Sequence, residues 1–101
     1  MNKITFQWDK QKSQINQQKH GISFEEAESV FFDDYAIQFW DEDHSQDEER
    51  FLLLGISSKM RILIVVHCFR EEDSIIRIIS ARKATKNESQ AYRRENSGTE
   101  A

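Results

Sequence analysis

The 101-residue chain has few of the residues on which several classes of protein depend. Its single cysteine, Cys68, excludes an internal disulfide and fits a reducing compartment. It has no proline and only three glycines, and it has no glycine-rich phosphate-binding loop. No apolar run is long enough to span a membrane, and the N-terminus lacks the apolar segment of a signal peptide. We therefore expect a cytoplasmic protein without a membrane span.

The net charge of −4 is unevenly distributed along the sequence. Residues 41–49 contain six acids, without which the formal charge would be +2. The segment from Arg82 to Arg94 contains five basic residues and one acid, Glu88. Because the local field matters more for binding than the sum, the acidic total argues only weakly against a polyanionic partner.

Hydrophobic periodicity predicts a single domain over residues 1–96, followed by a disordered tail at 97–101. The predicted strands are 4–8, 35–40, 50–56, 62–70 and 75–82, and the predicted helices are 10–20, 23–32 and 85–96. Capping boxes that start at Ser23 and Thr85 support the second and third helices. This order predicts an α+β fold: a mostly antiparallel sheet of four to five strands, two N-terminal helices and a short C-terminal helix.

The register of the central strands decides which polar side chains share a face. Turns centred between residues 72 and 73 and between residues 58 and 59 predict the opposed pairs. These pairs are His67 with Ile78, Leu63 with Arg82, and Arg50 with His67. One face would then carry Arg50, His67, Ser80 and Arg82, and the other face Glu49, Cys68 and Arg77.

Arginines around a histidine suit cleavage of a phosphodiester without a metal ion. The guanidinium groups of Arg50, Arg77 and Arg82 can bind phosphate oxygens and remain charged as negative charge develops. His67 can transfer a proton near neutral pH, and the 2′-OH of RNA can itself be the nucleophile. In the structural alternative, the arginines pair with the many acids and His67 is a hydrogen-bonded core residue.

The remaining histidines and the cysteine have simpler explanations. Lys19 and His20 lie at a predicted helix C-terminus, where the helix dipole favours cations. The histidines, His20, His44 and His67, are far apart, and no His-x₃-His or Cys-x₂-Cys pair exists. We therefore expect neither a metal site nor a cofactor.

Segments along most of the chain match the pattern of a known family. They are Phe6-x-Trp8-Asp9, Lys12, Asn16, Lys19-His20-Gly21, Phe24-Glu25-Glu26-Ala27, Phe32-Asp33, Glu49-Arg50, Gly55, Val65-Val66-His67, Arg77-Ile78-Ile79-Ser80-Ala81-Arg82, Ala84, Glu88 and Tyr92. In this order and spacing the chain resembles the BrnT toxins of type II toxin–antitoxin pairs over roughly residues 4–94. It departs from them in its acidic loop and in Lys10, where the family often has a proline.

The resemblance implies a fold like that of RelE-type toxins, and metal-independent cleavage of bacterial cytoplasmic RNA that inhibits translation and growth. It implies a BrnA-like antitoxin, a ribbon-helix-helix DNA-binding protein that wraps the toxin and alone contacts operator DNA. On this hypothesis Arg50, Arg77 and Arg82 are phosphate ligands, and His67, His20 or Glu49 transfers protons. RNA would also be bound by Lys19, Lys83, Lys86 and Arg93. The alternative function is a non-catalytic protein-binding module that acts as a co-repressor with a DNA-binding partner.

Overall fold

The computed structural model describes residues 3–44 and 48–97, which form one five-stranded sheet and three α-helices. The elements are β1 Thr5–Gln7, α1 Lys10–His20, α2 Phe24–Ser29, β2 Ile37–Trp40, β3 Phe51–Ile56, β4 Ile62–Arg70, β5 Ile75–Lys83 and α3 Lys86–Ser97. The strand order is β1-β5-β4-β3-β2, in which β1 is parallel to β5 and the other neighbours are antiparallel. The predicted class, element order and mostly antiparallel sheet are confirmed.

Several predicted boundaries differ from the structure. The second helix was expected to reach residue 32, but α2 ends at Ser29 and Val30–Phe32 form a 3-10 turn. In the acidic loop Glu42–His44 form a second 3-10 turn, and residues 45–47 lie outside the described residues. The predicted tail includes Ser97, which is the last residue of α3, and residues 98–101 lie outside the described residues.

Local signals at the helix ends act as the sequence predicts. The Asp9 carboxylate accepts hydrogen bonds from the backbone N–H groups of Gln11 and Lys12, so it caps α1. Gly21 ends α1 with a φ of 71°, a conformation that glycine adopts without strain. The Ser23 hydroxyl accepts a hydrogen bond from the Glu26 N–H and caps α2. The helices are too polar to be stable alone, so their burial against the sheet must hold them.

One face of the sheet packs against α1, α2 and the turn that follows α2. The core comprises Ile22, Phe24, Ala27, Val30, Leu53, Leu63, Val65, Ile78 and Ala81. Phe24, Ala27 and Val30 recur at helical spacing on one face, and all three are fully buried. We call this side of the sheet the core face and the opposite side the outer face. None of the helices within the described residues is long and apolar enough to cross a membrane.

The register differs from the prediction at two places. His67 lies opposite Ile78 as predicted, but Phe51 rather than Arg50 is its partner on β3. A β-bulge between Val66 and His67 shifts the rest of the hairpin, so that Leu63 lies opposite Lys83 instead of Arg82. The bulge leaves one residue of β5, Ile79, without an opposed partner.

The shared face predicted for Arg50, His67, Ser80 and Arg82 is therefore wrong. Opposed residues point to the same side of a sheet, so His67 lies on the core face with Ile78. Ser80 and Arg82 lie opposite Val66 and Ile64, which places them on the outer face. Arg77 lies opposite Cys68 and is also on the outer face, because the bulge changes the alternation between Arg77 and Arg82.

Helix α1 covers the part of β5 that β1 leaves unpaired. β1 pairs only with residues 75–77 of β5. Beyond them, the buried Asn16 amide accepts a hydrogen bond from Ala81 N and donates one to Ala81 O, at 3.1 and 2.9 Å. It also donates to Ile22 O at 2.9 Å. These bonds fix the position of α1 beside the bulge.

Candidate functional site

Basic residues are concentrated at one end of the sheet and acidic residues at the other, although Glu26 and Glu88 lie at the basic end, where they pair with Arg61 and Arg82. At one end the β3–β4 turn, the end of β5 and the end of α1 meet: Ala84 N donates to Ile62 O and Arg61 Nη2 donates to Gly21 O. We call this the basic end. Its exposed basic residues are Lys19, His20, Lys59, Lys83 and Lys86, and the half-buried ones are Arg61 and Arg82.

The opposite end of the sheet, which we call the acidic end, contains the β4–β5 turn and the connection from β2 to β3. Its acids among the described residues are Asp41, Glu42, Asp43, Glu48, Glu49, Glu71, Glu72 and Asp73. Two arginines are also here, and both lie within salt-bridge distance of Glu48: Arg70 at 3.0 Å and Arg50 at 3.9 Å. The uneven charge of the sequence is therefore also a separation in space.

A cleft of about 220 Å³ opens at the basic half of the molecule, between α1 and β5. It is lined by Lys12, Ile15, Asn16, Lys19, His20, Ile79 and Ser80. Three of these residues can carry positive charge, and Ile79 is the bulge residue. Bulges often re-aim side chains next to functional sites. We call this the α1–β5 cleft.

Arg82 lies two residues from Ser80 on the outer face and is 40% exposed. Its Nη1 and Nη2 atoms donate to the two carboxylate oxygens of Glu88 at 2.8 and 2.9 Å. These hydrogen bonds, with another from Thr85 N–H, lower the pKa of Glu88 to about 2 despite partial burial. The same bonds raise the pKa of Arg82. The pair therefore stays charged throughout the physiological pH range.

Arg77 is half-buried on the outer face near β1. Its Nη1 atom donates a hydrogen bond of 2.9 Å to the side-chain carbonyl of Gln7, which lies opposite it in the parallel pair. Among residues 3–44 and 48–97, no carboxylate forms a salt bridge with Arg77. Arg77 and Arg82 are separated by about 15 Å along β5, so one extended anion such as a nucleic acid strand could contact both.

His67 is fully buried on the core face and lies within an aromatic cluster. Its ring is surrounded by Phe31, Phe51 and Phe69, with centroid distances of 4.8, 6.1 and 5.3 Å. Nδ1 donates to Val65 O at 3.1 Å, because a carbonyl can only accept. Burial lowers the pKa of His67, so the ring is neutral near pH 7.

The side chain of Gln38 separates His67 from the second cleft. Nε2 of the histidine lies 3.1 Å from Oε1 of Gln38. Gln38 also lines a cleft of about 550 Å³ at the acidic end, together with Glu48, Glu49, Phe51, Phe69 and Asp73. A ligand in this cleft would meet Gln38 before it met the histidine.

The structure thus divides the residues predicted from the sequence into groups. Lys19, His20, Arg82, Lys83 and Lys86 are at the basic end. Glu49, Arg50 and His67 are towards the acidic end, Arg77 lies between the ends on the outer face, and Arg93 is exposed on α3. His20 and Lys19 lie together in the α1–β5 cleft, whereas His67 and Arg82 lie on opposite faces of the sheet.

Sequence reasoning missed two polar residues that the structure links to the candidates. The side chain of Gln38 contacts His67, and nothing in the sequence around it indicates this contact. Glu88 was recognised only as a helix cap, although it also binds Arg82. Lys12 precedes Lys19 by seven residues, two turns of a helix, and this spacing was the available signal for its position in the cleft. Within residues 3–44 and 48–97, no group of three His, Cys, Asp or Glu residues is arranged to hold a metal ion.

Comparisons with known proteins agree with this fold. Residues 8–88 match the family model described as ribonuclease toxin, BrnT, of type II toxin-antitoxin system. The structure is similar to the 1.1 Å crystal structure of the Brucella abortus ribonuclease toxin, BrnT, with a TM-score of 0.62 and 26% sequence identity. That match covers 85% of this chain and 100% of the Brucella chain. No curated protein matches the sequence significantly.

Proposed function

The chain belongs to the BrnT family of ribonuclease toxins of type II toxin–antitoxin systems, and we propose that it cleaves RNA at its basic end without a metal ion. The observation that carries this location is the α1–β5 cleft, which Lys12, Lys19 and His20 line together with Ser80, two residues from Arg82 on β5. RNA carries one negative charge per nucleotide, so a basic cleft and an adjacent guanidinium supply the contacts that hold its backbone.

The residues of the basic end divide between binding and chemistry in this proposal. Lys12 and Lys19 bind backbone phosphates in the cleft, and Lys83 and Lys86 extend the positive surface beyond it. Arg82 binds the scissile phosphate and stabilises the negative charge that develops on its oxygens. Arg77 and Arg93 contact phosphates farther along the strand.

The nucleophile is the 2′-OH of the nucleotide before the scissile bond. His20, which lines the cleft and is exposed, accepts the proton of this hydroxyl as its oxygen attacks phosphorus. The P–O5′ bond breaks and the leaving oxygen takes a proton from water, which gives a 2′,3′-cyclic phosphate and a 5′-hydroxyl. DNA resists cleavage because it lacks the nucleophile.

The candidates towards the acidic end receive different roles. Counted along the strands, His67 lies about 10 Å and Arg50 about 13 Å from the position of Arg82. His67 is also fully buried on the other face of the sheet. We therefore assign proton transfer to His20 rather than to His67 or Glu49, and we assign Arg50 to ion pairing with Glu48.

The decisive experiment is cleavage of a labelled single-stranded RNA by the wild type and by His20→Ala, Arg77→Ala and Arg82→Ala variants. Arg70→Ala is the matched control, because Arg70 is exposed at the acidic end. Loss of a transition-state ligand typically lowers the rate about 10²-fold or more. We expect that loss for Arg82→Ala and His20→Ala, a smaller loss for Arg77→Ala, and no change for Arg70→Ala. EDTA should leave the rate unchanged.

Full activity of Arg82→Ala, or inhibition by EDTA, would contradict the mechanism. Biological activity is tested by induced expression in a bacterium. Arrest of growth and translation supports the toxin, and its relief by a co-expressed BrnA-like antitoxin supports neutralisation in the cytoplasm. If expression has no effect and purified protein leaves RNA intact, the alternative of a non-catalytic co-repressor is favoured.

A further inference from the structure

The Glu88 carboxylate holds one edge of the Arg82 guanidinium, and we propose that Glu88 is a positioning residue that aims Arg82 at the scissile phosphate. The inference rests on the proposed function, because it assigns to Arg82 the role of phosphate ligand. It adds a residue of α3 to the site, although α3 does not line the α1–β5 cleft.

Arg82 has hydrogen-bond donors that Glu88 does not use. A guanidinium has five N–H groups. Nη1 uses its two on Glu88 Oε1 at 2.8 Å and on Lys83 O at 3.3 Å, and Nη2 uses one on Glu88 Oε2 at 2.9 Å. The two donors that remain are Nε–H and the second N–H of Nη2. Among the described residues, neither of them is bonded to an acceptor.

The remaining donors lie side by side on one edge of the planar group. Nε–H and the outer Nη2–H point in nearly the same direction, which is the arrangement that binds two oxygens of one phosphate. Glu88 occupies the end of the guanidinium and leaves this side edge available. A phosphate can therefore bind Arg82 without displacing the carboxylate, and Arg82 need not reorganise as charge develops.

Glu88 can serve as an anchor because the start of α3 fixes it. Its Oε1 accepts a hydrogen bond of 2.8 Å from Thr85 N, and its own N–H donates to the Thr85 hydroxyl at 3.1 Å. Farther along the helix, the Tyr92 hydroxyl donates to the Asp33 carboxylate at 2.7 Å. The carboxylate that orients Arg82 is therefore held by a capped helix that is itself attached to the turn after α2.

Loss of Glu88 should lower kcat more than it raises KM. Without the carboxylate, Arg82 regains rotamers that point its side edge away from the phosphate, and these rotamers must be given up in the transition state. The lysines of the cleft still bind RNA, so KM changes little. We expect Glu88→Ala to lower kcat about 10-fold or more, with KM within about twofold of wild type.

The experiment measures kcat and KM for RNA cleavage by wild type, Glu88→Ala, Glu88→Gln, Asn87→Ala and Arg82→Ala, with the melting temperature of each. Asn87→Ala is the matched control, since Asn87 is exposed one residue earlier in α3 and its loss leaves the carboxylate on Arg82. It should retain the wild-type kcat. Glu88→Gln keeps one oxygen acceptor and should be intermediate, and it serves as the test if Glu88→Ala fails to fold.

Two results would overturn the inference. A rise in kcat/KM for the Glu88 variants would show that the carboxylate competes with phosphate for Arg82. An unchanged kcat beside an inactive Arg82→Ala would show that Arg82 needs no positioning, while the proposed function would stand. Full activity of Arg82→Ala would instead remove the assignment of Arg82 in the proposed function, so the two failures are distinguishable.

Discussion

The side-chain amide of Asn16 forms with the backbone of Ala81 the pair of hydrogen bonds that a neighbouring strand would otherwise form. β1 is too short to continue along β5, and a buried strand edge with unsatisfied N–H and C=O groups would be costly. One helical side chain replaces the missing strand residue. The α1–β5 cleft forms beside this contact, and Asn16 itself lines it.

Asn16→Ala should lower the free energy of unfolding by about 2 to 4 kcal/mol, because it leaves Ala81 N, Ala81 O and Ile22 O without the amide. Gln17→Ala, on the exposed side of the same helix, is the control for helix propensity. Urea denaturation followed by circular dichroism measures both. Equal stabilities of the two variants would show that the amide contributes nothing to the attachment of α1.

Acid should destabilise the protein through Glu26. Burial disfavours its charged form, but hydrogen bonds from Arg61 and Ser57 outweigh this and lower the pKa of Glu26. A carboxyl whose pKa is lower in the folded protein stabilises the fold at pH values above its pKa in the unfolded chain, about 4.3. This stabilisation is lost as the pH falls through the pKa of the folded protein. We therefore expect the melting temperature to decrease from about pH 5 towards pH 2.

Glu26→Gln should reduce this pH dependence and lower stability at pH 7 by about 1 to 3 kcal/mol. The cost is smaller than for a fully buried pair, since the Arg61 side chain is 30% exposed. Glu25→Gln, which is exposed one residue earlier, is the control. Thermal unfolding between pH 2 and pH 7 tests the prediction, and identical curves for wild type and Glu26→Gln would refute it.

His67 should affect stability rather than cleavage. Burial lowers its pKa in the folded state, so the folded protein binds fewer protons than the unfolded chain. The contribution of His67 to the free energy of unfolding is complete above about 6.5, the pKa of histidine in the unfolded chain. It decreases as the pH falls below that value. His67→Phe should remove this component of the loss between about pH 7 and pH 5, while RNA cleavage stays within a few-fold of wild type.

The comparison with His20→Ala makes the His67 prediction specific. His20 is exposed in the α1–β5 cleft, so its loss should reduce cleavage and leave folding intact. Cleavage assays and thermal melts on both variants test this: His20→Ala should change cleavage but not folding, and His67→Phe should change stability but not cleavage. A folded but inactive His67→Phe protein would return His67 to the list of proton-transfer groups.

The basic end should determine the salt dependence of RNA binding. Each phosphate neutralised on a single strand contributes about −0.7 to the slope of log K against log salt concentration. Lys19→Glu and Lys83→Glu should each weaken binding and make the slope less steep. Lys10→Glu, at the opposite end of α1 from Lys19, makes the same charge change and should have a smaller effect. Fluorescence anisotropy with a labelled RNA over a salt series measures all three.

The elements and the core could be predicted because their signals are local. Aliphatic runs identified β4 and β5, and Ser23 and Gly21 marked the ends of helices. The register could not be predicted, because it depends on turn geometry. The β3–β4 turn was assumed to be even, but Met60 adopts a φ of 62° and Ser57 N donates to Arg61 O. An odd number of residues therefore separates Ile56 from Ile62, and this moves Phe51 opposite His67.

The bulge in β5 could also not be predicted from the sequence. Ile79 is as hydrophobic and β-branched as its neighbours, and no glycine marks the irregularity. Without the bulge, strict alternation would separate Arg77 from Arg82 on opposite faces of the sheet. The residue types of the candidate site could thus be predicted, but not which of them share a face of the sheet. One unpaired residue changes the side of the sheet to which all later residues of the strand point.

The opposite charges at the two ends of the sheet give the molecule an electric dipole along its strands. β4 has nine residues, so the ends are about 30 Å apart, several times the Debye length of about 8 Å at physiological ionic strength. RNA at the basic end is therefore screened from the carboxylates at the other end. As the protein approaches a polyanion, the field exerts a torque that turns the basic end forward. Its orientation, rather than its net charge of −4, then governs how it meets the strand.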